Sequence, residues 1–229
     1  MRSNKKTGRI AGFLFLTVII CGVFAEFFVR QKIFVSDNPT ATVHNISINE
    51  WLFRIGIISD IAMIVAFFFF SLVLYQIFKH INKNHARLML LSVMIAVSIL
   101  LIIVLYQIAA LLLVTGSDYV NGFETSQLNG LVIFFLKMHT NGYFISQVFY
   151  GLYLFPLGYM IFKSGLAPKI IGILLMLGCI GDQIDVIRFF LLPDYESVVL
   201  QNITVPADLG ELSLCLWLLI KGVKEQNDV

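Results

Sequence analysis

Charge is what this sequence has least of. Only 13% of its 229 residues are Asp, Glu, Lys or Arg, while 59% are hydrophobic and the mean hydropathy is +0.88. A soluble domain is about 45–50% apolar and about 25% charged, so a water-facing globular surface is excluded and an integral membrane protein is expected. Cysteine is scarce too. Cys21, Cys179 and Cys215 each fall in an apolar run. An odd, scattered set makes neither a disulfide framework nor a zinc pattern, and small buried hydrophobes are the expectation. Of the four histidines, His139 alone lies near the intramembrane charges. That speaks against a zinc site and leaves a carboxylate-rich divalent site open; no metal and no cofactor is expected. No Gly-rich phosphate loop, HExxH or GxSxG occurs. The formal net charge of +2 gives no sign of a nucleic-acid partner. The length leaves no room for a separate soluble domain, so residues 1–229 are expected to form one transmembrane domain.

Long apolar runs are what the sequence does contain. A crossing takes about 20 such residues, and six are expected, at residues 10–29, 51–78, 88–114, 142–162, 168–192 and 207–220. Val23-Phe24-Ala25 resembles a signal-peptide cleavage site, but the apolar stretch continues past it through Phe28. The run 128–162 is too long for one crossing: at about 1.5 Å per residue it exceeds about 50 Å, against a core of about 30 Å. Asn141-Gly142 is the natural break. Residues 126–140 are therefore expected as a short extracytoplasmic interfacial helix before span four, and Pro156 is expected to kink that span. Residues 30–50 read as a polar loop carrying the sequon Asn45-Ile-Ser47, and a second sequon is Asn202-Ile-Thr204. Residues 79–87 read as a basic turn with His80 and His85 as solvated loop residues. Gly151 with Gly158, and Gly165 with Gly172, fit close helix packing. The expected fold is all-α, a polytopic membrane protein forming a single six-helix bundle.

Charge position sets the orientation. Arg2, Lys5, Lys6 and Arg9 precede the first run; Lys79, Lys83 and Arg87 follow the second; Lys163 and Lys169 follow the fourth; Lys221 and Lys224 follow the sixth. Six spans put all of these on one side, where only Glu225 and Asp228 among the acids join them. The positive-inside rule places that side, and both termini, in the cytoplasm of a multi-pass cell-membrane protein.

The remaining charges gather at one depth. The centre is Cys179-Ile-Gly-Asp-Gln-Ile-Asp-Val-Ile-Arg188, where Asp182, Asp185 and Arg188 succeed each other at intervals of three and share one side of a helix. Glu26 and Gln107 come late in outward spans, Arg54, Asp60 and Glu211 early in inward ones, and His139 just before the fourth. All fall in the outer half. Five carboxylates, Glu26, Asp60, Asp182, Asp185 and Glu211, face two certain cations, Arg54 and Arg188. In a low dielectric that surplus has to be protonated, solvated or neutralised by a cation. One reading is an ion-pair network locking helix ends, with Arg54 on Asp60 or Asp185 on Arg188. The other is an outward-facing polar pocket on which Glu26, Arg54, Asp60, His139, Asp182, Asp185, Arg188 and Glu211 converge as ligand-binding candidates, with catalytic residues unassigned. The pocket would bind a lipid headgroup, small amphiphile or cation, with the bilayer as partner. Three rivals stay open. An intramembrane enzyme on a lipid-like substrate would use Asp185 or Glu211 as acid or base and His139 as partner. The others are a proton- or cation-coupled transporter and a structural partner subunit.

A set of motifs runs through the chain: Arg9-Ile-Ala-Gly-Phe-Leu14 with Phe24-Ala-Glu26, Arg54-Ile-Gly56 with Ser59-Asp60, His139-Thr-Asn-Gly-Tyr143, Phe149-Tyr-Gly-Leu-Tyr153, Gly158-Tyr159, Lys163-Ser-Gly165 with Pro168-Lys-Ile-Ile-Gly172, and Gly210-Glu-Leu-Ser-Leu-Cys-Leu-Trp-Leu-Leu-Ile-Lys-Gly222. As a set it resembles bacterial membrane proteins grouped as domain of unknown function 4386, over nearly the whole chain. The resemblance implies a bacterial inner-membrane protein and supplies no activity, substrate or catalytic residue.

Overall fold

The structure is a computed structural model that describes residues 4–35, 38–116, 122–192, 197, 200 and 202–223. Arg2, Lys224, Glu225 and Asp228 lie outside the described residues. Every regular element among the described residues is helical. Helix α1 (Asn4–Val23) continues through a π-helical segment (Phe24–Arg30) into α2 (Gln31–Ile33). Then come α3 (Pro39–Ile48), α4 (Glu50–Phe78), α5 (Lys83–Thr115), α6 (Thr125–Leu152), α7 (Leu154–Ser164), α8 (Lys169–Leu191) and α9 (Val205–Ile220). Among the described residues, five helices are long and apolar enough to cross a membrane: Lys5–Ile33, Glu50–Phe78, Lys83–Thr115, Thr125–Ser164 and Lys169–Leu191. Helix α9 has 16 residues, about 24 Å at about 1.5 Å each, short of a full crossing by itself.

Three expectations need correction. First, α6 runs unbroken through Asn141-Gly142, so residues 126–140 are not a separate interfacial helix. Asn and Gly are helix-tolerable singly, and here the apolar row continues on both sides of them. The interruption falls at Tyr153, three residues before Pro156, which has no N–H to donate to the Leu152 carbonyl. The neighbouring bonds Tyr153 N–Phe149 O and Leu157 N–Tyr153 O persist at 3.2 Å each, so the helix is interrupted and not ended. Second, the described residues of the stretch 30–50 are largely helical. Asn38 caps α3 by accepting the Ala41 N–H at 2.9 Å, with Pro39 at the first helical position. The Asn45 amide of the sequon donates to the Ile33 carbonyl at 3.1 Å, so it serves the fold locally. Third, the basic turn is shorter than expected. Lys83, His85 and Arg87 already belong to α5, and His85 stacks on Tyr159 at 4.5 Å.

The chain packs as two compact units. The first takes residues 1–16, 66–97 and 144–229. Its core holds Phe15 stacked on Phe70 at 4.4 Å and Tyr153 edge-on to Phe67 at 5.4 Å. Helices α7 and α8 meet backbone to backbone at Gly158 and Gly172: a Cβ on Gly158 would lie 2.5 Å from the Gly172 carbonyl, and the reverse distance is 2.6 Å. Only glycine permits that approach. Gly165 does not share this face with Gly172; it ends α7 in the left-handed region at φ 65°. The second unit takes residues 17–65 and 98–143. Its buried row Ala25, Val29 and Ile33 brings Val29 against Gly56, and Ser59 donates to the Cys21 carbonyl at 3.0 Å, so the end of the first helix lies along the start of α4.

Candidate functional site

The second unit contains a chain of bonded polar side chains, one or two from each of four helices. It starts in the π-helical segment, where the Gln31 N–H bonds back to the Glu26 carbonyl, five residues earlier. Such segments are short, rare and concentrated at functional sites. Glu26 and Arg30 lie four residues apart within it, and Arg30 Nε donates to Glu26 Oε2 at 2.7 Å. Arg30 Nη1 donates to Asp60 Oδ2 of α4 at 2.8 Å. Gln107 Nε2 of α5 donates to the same Asp60 oxygen at 2.7 Å and lies 2.6 Å from His139 Nε2 of α6. An amide nitrogen only donates, so the imidazole nitrogen facing it accepts and the ring carries its proton on Nδ1. Asp60, Gln107 and His139 are buried, and Arg30 is 16% exposed, while Glu26 reaches out at 47%.

The first unit holds a second cluster. On α8, Arg188 donates through Nε and Nη2 to Asp185 Oδ1 at 3.0 and 2.7 Å. Gln147 of α6, itself buried, donates to Asp185 Oδ2 at 3.2 Å and also reaches Asp182. One turn on, Gly151 lets α8 come close: a Cβ there would stand 2.7 Å from the Asp182 Cβ. The Tyr153 hydroxyl, at the helix interruption, donates to Glu211 of α9. Among the described residues, no buried side-chain nitrogen or oxygen lacks a partner, and no group of three or more His, Cys, Asp or Glu is placed to hold a metal ion.

Arg54 joins neither cluster. It pairs with Glu50, one turn earlier on α4, at 2.7 Å, and both side chains are more than 40% exposed. The expected Arg54–Asp60 pair is therefore replaced by Arg30–Asp60, whereas Asp185 and Arg188 do pair. The described bonds connect Glu26, Asp60 and His139 in one cluster, and Asp182, Asp185 and Arg188 in another. His139 bonds Gln107, while Glu211 bonds Tyr153. Arg30, Gln147 and Tyr153 were not among the sequence candidates, and Gln107 counted only as a polar residue at depth. The signal for Arg30 was its spacing of four from Glu26, an ion-pair spacing, masked by its place past the last apolar residue of the run.

The second unit also has a cavity of about 350 Å³. Phe34, Val35, Asn38, Pro39 and Thr42, from α3 and the segment before it, form one wall; Ile133, Leu136, Lys137 and Thr140 of α6 form the other. Thr42 and Leu136 are buried, and Val35, Asn38, Pro39, Lys137 and Thr140 are exposed, so the cavity is a surface cleft with an apolar floor.

A family model described as Domain of unknown function (DUF4386) matches residues 10–222. An uncharacterised protein of Archaeoglobus fulgidus is 34% identical over 80 residues, which are 35% of this chain and 46% of that relative. No solved structure matches.

Proposed function

Because the chain belongs to the domain of unknown function 4386 family, which brings no assigned activity, we propose its function from its own side chains: a membrane-embedded binding protein that holds a small amphiphile or lipid in the cleft between α3 and α6. The observation that carries this is how the cleft is built. Its volume of about 350 Å³ lies in the range of ligand sites, about 300–1,000 Å³. Both walls are anchored to the same polar chain. One wall begins at Phe34, four residues after Arg30; the other flanks His139 with Lys137 and Thr140. The bonds Arg30–Asp60–Gln107–His139 thus set the spacing of the two walls, as a preorganised site requires. On this reading Glu26, Asp60 and His139 position the site without contacting the ligand. Asp182, Asp185, Arg188 and Glu211 hold the helices of the first unit. We further propose that α9 completes a sixth crossing together with the residues before it, and that both termini lie in the cytoplasm. The basic residues at the ends of the even-numbered crossings support this.

Purification in mild detergent followed by mass spectrometry tests the proposal. Wild-type protein is expected to retain an amphiphile. Ile133→Trp, which fills the cleft from one wall, is expected to lose it while still eluting as a folded species, and Asp182→Asn is expected to keep it. Equal retention by Ile133→Trp and wild type, or none by wild type, refutes the reading.

A further inference from the structure

Lys137 is the only Lys or Arg between Arg87 and Lys163, a stretch otherwise dominated by apolar residues. It lines the cleft and is exposed there. The other membrane-level arginines are all engaged: Arg30 with Glu26 and Asp60, Arg54 with Glu50, Arg188 with Asp185. Lys137 has no carboxylate partner and no hydrogen bond among the described residues. A lysine in an apolar helix is costly, and such a residue normally pairs or faces a polar site. Lys137 lines the cleft, and no described acid pairs with it there.

Asn38 stands on the opposite wall. Its Oδ1 is taken by the Ala41 N–H, so its amide nitrogen is the end left to donate. The two threonines are used locally: Thr42 Oγ1 bonds Val35 through both its N–H and its carbonyl, and Thr140 Oγ1 donates to the Leu136 carbonyl. Among the described lining residues, the donors left facing the cleft are thus an ammonium group and a neutral amide, and none of those residues is an acid. Phe34, Ile133 and Leu136 supply an apolar surface beside them.

From this juxtaposition, resting on the binding reading above, we infer that the cleft takes a phosphate-bearing group, with Lys137 as its charge contact and the Asn38 amide as its second donor. A cationic head would repel the lysine, and the phosphate of a zwitterionic head is already balanced by that head's own ammonium group. A phosphate could arrive as the headgroup of an anionic lipid, whose chains would lie against the apolar floor, or as free phosphate.

The test uses the full chain in mild detergent. Phosphatidylglycerol and phosphatidylcholine of the same chain length compete for it, with retention read by native mass spectrometry. A thermal-shift titration with inorganic phosphate forms a second arm. A lysine beside an anionic head contributes enough to favour phosphatidylglycerol by about fivefold. That preference is expected in wild type and in the control Lys32→Gln, and it is expected to vanish in Lys137→Gln. A shift with phosphate alone identifies the free ion as an occupant; no shift, with the lipid preference intact, identifies the lipid. Retention of both lipids without preference, but lost in Ile133→Trp, overturns the anionic inference and leaves the binding reading standing. A preference unchanged in Lys137→Gln also overturns the inference. Retention of neither lipid overturns both.

Discussion

Replacing Arg30 should cost far more stability than replacing Arg54, although both are arginines paired to a carboxylate four residues earlier. Arg54 and Glu50 are 46% and 41% exposed, and an exposed pair of this spacing contributes about 0.3–0.5 kcal/mol. Arg30 is 16% exposed and its partner Asp60 only 5%. Arg30→Gln removes the only described cation on Asp60 and leaves that carboxylate with the Gln107 amide. Breaking a buried pair from one side costs about 3–5 kcal/mol. Asp60→Asn should cost less, toward the lower end, because Arg30 keeps Glu26 and because an asparagine oxygen can still accept from Gln107. The double variant Arg30→Gln with Asp60→Asn removes both charges together and should recover part of the loss, with a coupling of about 0.5–3 kcal/mol. Equilibrium unfolding in mixed detergent micelles, read by tryptophan fluorescence, measures all four proteins. Equal losses for Arg30→Gln and Arg54→Gln, or strictly additive losses in the double variant, would show that the Arg30–Asp60 contact carries no stability.

Other consequences follow from the same geometry. Tyr153→Phe removes the hydroxyl that Glu211 accepts from and should destabilise by about 1–3 kcal/mol in the same assay, whereas a loss under a few tenths would mean that Glu211 is served by another donor. Gly158→Val drives a side chain into the Gly172 carbonyl at 2.5 Å; overpacking costs about 1–3 kcal/mol or more, and folded yield by size-exclusion chromatography should fall sharply, with an unchanged elution profile counting against the α7–α8 contact. In a background lacking Cys21, Cys179 and Cys215, a cysteine at Thr40 should be labelled in intact cells by an impermeant maleimide and one at Lys83 only after permeabilisation. The reverse pattern refutes the proposed orientation.

How much of this was legible in the sequence depends on which physical signal each feature carries. Long apolar runs and the basic segments between them mark the crossings, and hydropathy places most of α4, α5 and α8 within a few residues. Helix ends were the weak point. Lys83, His85 and Arg87 read as a turn because they are polar, yet polar residues extend α5 as readily as apolar ones cross the membrane. The Asn141-Gly142 pair read as a break because it is a turn former in isolation, but neighbouring Val132, Leu136 and His139 are buried along one face and hold the helix through it. Pro156 gave the more reliable local signal, since its missing N–H is a property no packing can supply. Of the site, the charged members are visible in the sequence and their pairing is not: Arg54 sits six residues before Asp60 on α4, about 120° round the helix from it, and pairs with Glu50, while Arg30 reaches Asp60 from the neighbouring helix.

The surplus of negative charge survives the exchange of Arg30 for Arg54, since five carboxylates still face two arginines. Neutral donors meet part of it. Glu26 is 47% exposed and accepts from Arg30. Asp60 accepts from Gln107 as well as Arg30, Asp185 accepts from Gln147 as well as Arg188, and Glu211 accepts from Tyr153. Neutral amides and a phenol thus supply the donors that counting charges assigns to missing cations. A hydrogen bond to an ionised group is worth roughly twice a neutral one, so these side chains offset part of the imbalance. The charge excess, read from the sequence as protonated, solvated or neutralised by a cation, is thus met in part by hydrogen bonds from uncharged side chains. The case for a ligand moves to the cleft, where the unpaired charge among the described lining residues is the positive one of Lys137.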